Sequence, residues 1–182
     1  MSEIVQVLLS GLGGQGIILA GLLLGQAGAT DGKHVAGSSS YGAQARGSDC
    51  TSEIVLSSGP IDFPHLTAAD ILMAMSQGAY DRHRIEVREE SGLILYDQGQ
   101  VKPKESFTLR QVGIPATEYA VKKLKNGQVA NIILTASLIE ITKVVSQKAF
   151  RESIRKHVSQ RFQNLNLKAM QVGIELGRKV HG

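Results

Sequence analysis

An open, mainly parallel α/β sheet flanked by helices, ending in a helical last third, is the fold class this sequence predicts. Three observations carry it. Short apolar, often β-branched runs recur at Ile4–Leu9, Thr51–Leu56, Asp70–Met75 and Leu93–Tyr96 and read as buried strands. Helical segments stand between several of them, and such alternation builds parallel sheets. The first strand also runs straight into Gly11-Leu-Gly-Gly-Gln-Gly16 and then a helical stretch, the strand–turn–helix order of Rossmann-like sheets.

Within that opening unit, Gly11, Gly13 and Gly16 fall at G-x-G-x-x-G spacing with Gly14 as an extra, and the helix runs from Ile17 to about Ala29. Unpaired N–H groups at a positive helix end suit a phosphate or carboxylate, and glycines let it approach the backbone. The plainer reading is that these glycines only make a tight turn that packs against its neighbours. Ordinary NAD binding needs an acidic residue about 20 positions on. Lys33-His34-Val35-Ala36-Gly37-Ser38 offers no carboxylate there, so phosphate binding stays open while the nicotinamide reading loses ground.

Lys33–Ala36 reads as a short second strand, followed by a long loop of small residues over Gly37–Cys50. Loops of that length in a compact domain are usually functional or disordered. Tyr41, Gln44 and Arg46 can each make a specific polar contact, so this one reads as functional. Thr51–Leu56 is a strand, Ser57–Pro60 a turn, and Asp70–Met75 a strand backed by a helix over Gln77–Glu90. Leu93–Tyr96 and Phe107–Val112 are further strands, and Pro115 opens a helix to about Lys125. Asn131 is placed as the cap of a helix through Val145, apolar nearly all round and therefore buried. Ser146 caps another, with Phe150, Ile154 and Val158 on one face. The final helix, Asn164–Lys179, carries Leu167, Met170 and Ile174 as a stripe for its own core or for another subunit. Glu140 beside Lys143 reads as a local ion pair.

The 182 residues suffice for one domain, read as 1–182, with a substantial core. Only 4% of residues are aromatic and none is Trp, which argues against the stacking platforms of single-stranded nucleic-acid binders. The net charge of +4 is modest and its Lys and Arg residues are spread over helices, as solvated faces are. One cysteine, Cys50, cannot hold an iron–sulfur cluster or a disulfide framework, and the five histidines lack metal spacing. No metal site is expected in this chain. Gly21-Leu-Leu-Leu-Gly25 matches a membrane helix-pairing motif, but the glycines at 11–16 split the uncharged stretch into pieces too short to span. Glu3, without a basic residue beside it, does not begin a signal peptide, and a reducing cytoplasm fits the cysteine content.

No Ser–His–Asp set, paired carboxylates or zinc pattern emerges, which suits one subunit of a larger enzyme. The order of Gly11-Leu-Gly-Gly-Gln-Gly16, Ser40-Tyr-Gly-Ala-Gln-Ala-Arg-Gly-Ser48, Gly59-Pro-Ile61, Asp70-Ile-Leu-Met-Ala-Met75 and Gly113-Ile-Pro-Ala116 resembles the gamma subunit of 2-oxoacid:ferredoxin oxidoreductases. Gln128-Val-Ala-Asn131 and Asn164-Leu-Asn-Leu-Lys-Ala169 are similar too, so the likeness covers nearly the whole chain. Its form is most like the 2-oxoglutarate branch, with branched-chain 2-oxoacid enzymes next.

The resemblance implies a subunit of a cytoplasmic hetero-oligomer that decarboxylates a 2-oxoacid oxidatively. Thiamine diphosphate and iron–sulfur clusters belong to the alpha, beta and possibly delta partners, with ferredoxin or another acceptor taking the electrons. Coenzyme A is the cosubstrate, and the gamma domain is associated with its placement. The residues this assigns to that task are Gly11, Gly13, Gly14, Gln15, Gly16, Ser40, Tyr41, Gln44, Arg46 and Gly47. Arg46 can clamp a phosphate or carboxylate as a planar fork, or bond loop carbonyls or a neighbouring subunit instead. Tyr41 fits interface packing better than proton donation, since a phenol titrates near ~10. Relatives often carry Pro-Glu before Arg-Gly where this chain has Ala43-Gln44, so it offers no acidic side chain there. A stand-alone nucleotide-binding module and an NAD-linked dehydrogenase are the alternatives.

Overall fold

The computed structural model describes residues 4–42, 47–105 and 109–180. Strand β1 (Ile4–Leu12) leads through the glycine turn into helix α1 (Ile17–Thr30). Strands β2 (His34–Tyr41) and β3 (Asp49–Ser57) follow, then β4 (Ile71–Ala74) and α2 (Gln77–His83). Strands β5 (Leu93–Asp97) and β6 (Arg110–Ile114) complete the sheet. The rest is helical, in α3 (Ala116–Lys122), α4 (Ala130–Thr142), α5 (Gln147–His157) and α6 (Gln160–Lys179).

The six strands lie in the order β2-β3-β1-β4-β5-β6. From β1 through β6 the pairing is parallel, as expected, but β3 runs antiparallel to both β1 and β2. Alternation of side chains along β1 feeds two cores. Val7 and Leu9 join α1, α4 and α6 on one face, whereas Leu8 meets Leu72, Ile94 and Tyr80 under α2 on the other. Helix α4 is buried from Ala130 to Ile141, so its even apolar coat follows from core on every side. Met170 and Ile174 are buried and Leu167 packs beside them, which settles the α6 stripe on the chain's own core. Gly21 and Gly25 of α1 lie against Ser52, Ile54 and Val35 of the sheet rather than a membrane partner. Among the described residues no helix is long and apolar enough to cross a membrane.

Several expectations need correction. The stretch Gly37–Tyr41 is strand, not loop, paired to Cys50–Ile54. Its run of Gly and Ser has no apolar period to read, yet small side chains suit a flat edge, and Ser39 Oγ donates to Ser52 Oγ across the pair at 3.1 Å. The helix of Gln77–Glu90 stops at His83 and tightens into a 3-10 turn over Arg84–Glu86. A parallel bridge between Val87 and Ala69 then pulls the chain back to the sheet. Strand β6 runs on to Ile114, past Val112, and its expected start, Phe107, lies outside the described residues. Helix α6 begins at Gln160, before Asn164, and α4 ends at Lys143 in a left-handed conformation, φ 55°, short of Val145.

Glu140 is paired with Lys143 at 2.8 Å as expected, and also meets Arg178 Nε at 3.3 Å and the Gln147 amide. The Lys143 hydrogen bond is the main influence holding this buried carboxyl below its ordinary value, against the opposing effect of burial. A lowered native pKa gives stability that is complete above the ordinary value of 4.5 and is lost as pH falls through the native one. Glu140→Gln should therefore cost about 1 kcal/mol at neutral pH. In thermal melts the gap from the parent chain should narrow as the pH drops below about 4.

Candidate functional site

Past Leu12 the chain turns through Gly13–Gly16 at the C-terminal edge of the parallel strands, where open α/β sheets take their ligands. Gly14 and Gly16 have φ of 96° and 74°, a region that penalises any side chain. The Gly13 N–H donates to Ser48 O at 2.8 Å and the Gly47 N–H to Gly13 O at 3.4 Å, which lashes the turn to the approach of β3.

The glycines divide by what surrounds them. A Cβ at Gly11 would stand 2.5 Å from Gln15 Oε1 and 2.8 Å from Ile17 Cδ1, and one at Gly16 would collide with Asn131 Nδ2. Those two serve close packing. At Gly14 a Cβ would find nothing within 4 Å among the described residues. The N–H groups of Gly14 and Gly16 have no acceptor among the described residues. Gly16 caps α1 without a side-chain bond, and no acidic residue occupies the helix's first turn. The positive helix end is thus uncompensated, and an anion would complete it.

Gly14 borders three recesses. A groove of about 390 Å³ is lined by Gly13, Gly14, Ile18, Tyr41, Asp49 and Cys50. A cleft of about 240 Å³ lies between the turn and Asn126, Asn131, Phe162 and Asn166. A third, of about 300 Å³, opens between Gln15, Met75, Thr117 and Gln128, beside the β1–β4 boundary where the sheet changes direction of growth.

Of the residues singled out from the sequence, the structure brings Gly13, Gly14, Gly16 and Tyr41 to one groove, with Tyr41 71% exposed. Gly47 is tied to Gly13 and has φ 80°. Ser40 points to the opposite sheet face from Tyr41, as neighbours in a strand must, and is exposed. Gln15 uses both ends of its amide internally, accepting from Leu12 N–H at 2.7 Å and donating to Met75 O at 2.9 Å. Gln44 and Arg46 lie outside the described residues. Cys50 is buried beneath α1; burial pushes its thiol pKa up, with the Ile18 N–H opposing.

Asn131 is a correction and an addition at once. It sits inside the first turn of α4, and does not cap it; its Nδ2 donates to Gly16 O at 2.9 Å. A polar residue opening an otherwise apolar stretch is the only signal it leaves in the sequence, and such a residue is ordinarily a cap. Asp97, wholly buried at the end of β5, leaves even less, since a single acid after a strand is common. It accepts from the Gly99 N–H at 3.2 Å and from both the N–H and the hydroxyl of Thr117, so it fixes the start of α3. Among the described residues no three His, Cys, Asp or Glu side chains gather as a metal site.

Fold and site together define a Rossmann-like α/β domain that presents a bare glycine turn to open grooves. The chain belongs to the pyruvate ferredoxin/flavodoxin oxidoreductase family, which it matches over residues 6–176. The 2-oxoglutarate synthase subunit KorC of Methanocaldococcus jannaschii is 38% identical over 180 residues, covering 96% of this chain and 95% of its own length. The ketoisovalerate oxidoreductase subunit VorA of Methanothermobacter marburgensis is 31% identical, with 96% of this chain matching 37% of that longer one. A keto/oxoacid ferredoxin oxidoreductase gamma subunit from Geobacter sulfurreducens superimposes with TM-score 0.87 at 31% identity, over 97% of this chain and 98% of that one. The gamma-subunit resemblance read from the sequence is therefore met.

The split among the glycines has a measurable consequence. Ala at position 14 meets only backbone strain, about 1–2 kcal/mol, whereas at position 16 it meets strain and the Asn131 amide together. Gly16→Ala should lower the melting temperature by several degrees more than Gly14→Ala, and calorimetry of the two variants checks it.

Proposed function

We propose that this chain is the gamma subunit of a cytoplasmic 2-oxoacid:acceptor oxidoreductase that converts 2-oxoglutarate to succinyl-CoA and carbon dioxide, with one domain over residues 1–182. Its task is to place coenzyme A beside the thiamine diphosphate site of partner subunits. The observation that carries this is Gly14, which among the described residues has free space above it and N–H groups without acceptors beside it, at a helix end with no acidic residue in its first turn. A pyrophosphate or phosphate of coenzyme A is the matching chemistry.

The choice of oxoacid rests on the KorC relatives, 34% and 38% identical in the Archaeoglobus fulgidus and Methanocaldococcus jannaschii proteins and of similar length to this chain. A Magnetococcus marinus 2-oxoglutarate:ferredoxin oxidoreductase with coenzyme A bound shares the fold, with TM-score 0.88 at 21% identity, and this chain matches 31% of it. Thiamine diphosphate supplies the decarboxylation and iron–sulfur clusters carry the electrons toward ferredoxin or another acceptor; both belong to the alpha, beta and possibly delta partners. In this chain the Gly14 and Gly16 N–H groups, which have no acceptor among the described residues, receive the phosphate, Gly13 and Tyr41 flank it, and Gly11, Gln15, Ser40 and Gly47 shape the surroundings. Gln44 and Arg46, assigned from the sequence, complete the ligand's polar contacts.

Purification of the native assembly should give oxoacid-dependent and coenzyme A-dependent reduction of a low-potential dye, and the chain alone should give none. NAD-linked turnover by the chain alone would overturn the reading in favour of a dehydrogenase. Gly32 offers an internal control for the site: its φ is 79° and a Cβ there also meets nothing within 4 Å, but it lies at the far end of α1. Gly14→Ala should raise the coenzyme A KM about tenfold in the assembled enzyme while Gly32→Ala leaves it unchanged. Arg46→Ala should raise the KM for coenzyme A or for the oxoacid by a similar factor. Equal constants for all three variants and the parent would remove the turn and Arg46 from the site.

A further inference from the structure

We infer that Gln15 and Asn131 act as a pair of positioning residues, two side-chain amides that set the glycine turn in its receiving shape before ligand arrives. The inference rests on the cradle reading above and adds how the cradle is kept rigid. Three glycines in four residues leave the backbone freer than any other composition, and a ligand that had to order such a turn would lose that entropy from its affinity.

Gln15 works from the sheet side. Strand β4 stops at Ala74, and the Met75 N–H still reaches Ser10 O at 2.9 Å, but the next carbonyl has no strand to bond. Gln15 Nε2 donates to it at 2.9 Å while Oε1 accepts from the Leu12 N–H at 2.7 Å, so one side chain ties the turn to both β1 and β4. Its backbone N–H is also engaged, with Leu12 O at 3.0 Å. Neither end of this residue is left for a ligand.

Asn131 works from the helix side. It is 2% exposed, its Oδ1 accepts from the Ile132 N–H at 2.9 Å, and its Nδ2 donates to Gly16 O at 2.9 Å. That carbonyl already accepts from the Ala20 N–H at 3.0 Å, as the first bond of α1. A second donor on one carbonyl polarises its peptide group, which strengthens the N–H of Ile17 on the other side of the same bond. The missing side chains of Gly11 and Gly16 make the room: each would have its Cβ where one of these two amides lies. Two of the motif's glycines thus admit the clamp and Gly14 admits the ligand.

The test uses Gln15→Met and Asn131→Leu, which keep bulk and remove the amides, in the enzyme assembled with its partner subunits. Amide hydrogen exchange over residues 13–18 and steady-state kinetics are measured together. Exchange there should quicken and the coenzyme A KM rise about tenfold, with the oxoacid KM and the kcat at saturating coenzyme A changed by less than about twofold. Gln15 is only half-buried, so its variant reads the clamp even where the Asn131 variant fails to assemble. Unchanged exchange in folded variants overturns the clamp. A raised KM in Gly14→Ala with neither amide variant altering it also overturns the clamp, and leaves the cradle standing. Faster exchange with coenzyme A KM unchanged in the amide variants and in Gly14→Ala alike overturns the cradle, and the positioning role with it.

Discussion

Everything at the site depends on strand β1 bonding two neighbours that run in opposite directions. On one side it pairs with β3 for its whole length, Ile4 to Leu12. On the other it pairs with β4 only from Val7 to Ser10. Beyond Ser10 the strand is held on one edge alone, so the chain has support up to the turn and open space beside it. The switch in sheet growth between β1 and β4 creates that space, as it does in other open α/β sheets. The helices of the last third then close the rear, with α4 delivering Asn131 to the turn from residues 115 positions away in sequence.

How far this was legible in the sequence depends on what kind of signal each part leaves. Buried strands such as Ile71–Ala74 and Leu93–Asp97 are legible because a short apolar, β-branched run closed off by turn residues seldom folds as anything but a strand. Helix α4 is legible because its thirteen residues are too many for a strand and carry apolar side chains on every face, which a surface helix does not. Strand β2 was not, beyond Ala36, because Gly37-Ser-Ser-Ser-Tyr41 owes its strand conformation to β3 and not to its own pattern. The antiparallel sense of β3 was equally hidden: the chain between Tyr41 and Asp49 is short enough for a reversal, but with all of Gly37–Cys50 read as loop that short connection is invisible.

At the site, the glycine spacing pointed to the right turn without separating its two meanings. The two are told apart residue by residue. Gly11 and Gly16 answer to packing and Gly14 answers to open space, and that division comes from neighbours in three dimensions that spacing cannot encode. Gln15 shows the same limit. A polar residue inside a phosphate-type motif reads as a ligand contact until its amide is seen bonded at both ends.

Several acidic groups in and around the sheet are committed to internal partners among the described residues. Asp97 is committed to Thr117 and Gly99, Glu140 to Lys143, Arg178 and Gln147, and Asp70 to Arg88 at 2.8 Å and the Gln6 N–H at 2.7 Å. In the groove beside the turn, Asp49 is paired with Arg82 and burial pushes the Cys50 thiol pKa up. What faces a ligand from the described wall is therefore backbone dipole, an apolar Ile18 and the exposed Tyr41, with little net charge. Such a wall selects by shape and by hydrogen-bond direction, because fixed N–H groups at a helix end favour an anion only where it can meet them closely. Along this described wall a ligand would meet fixed geometry rather than charge, and the amides of Gln15 and Asn131 behind the turn bear on its shape as directly as the glycines in front.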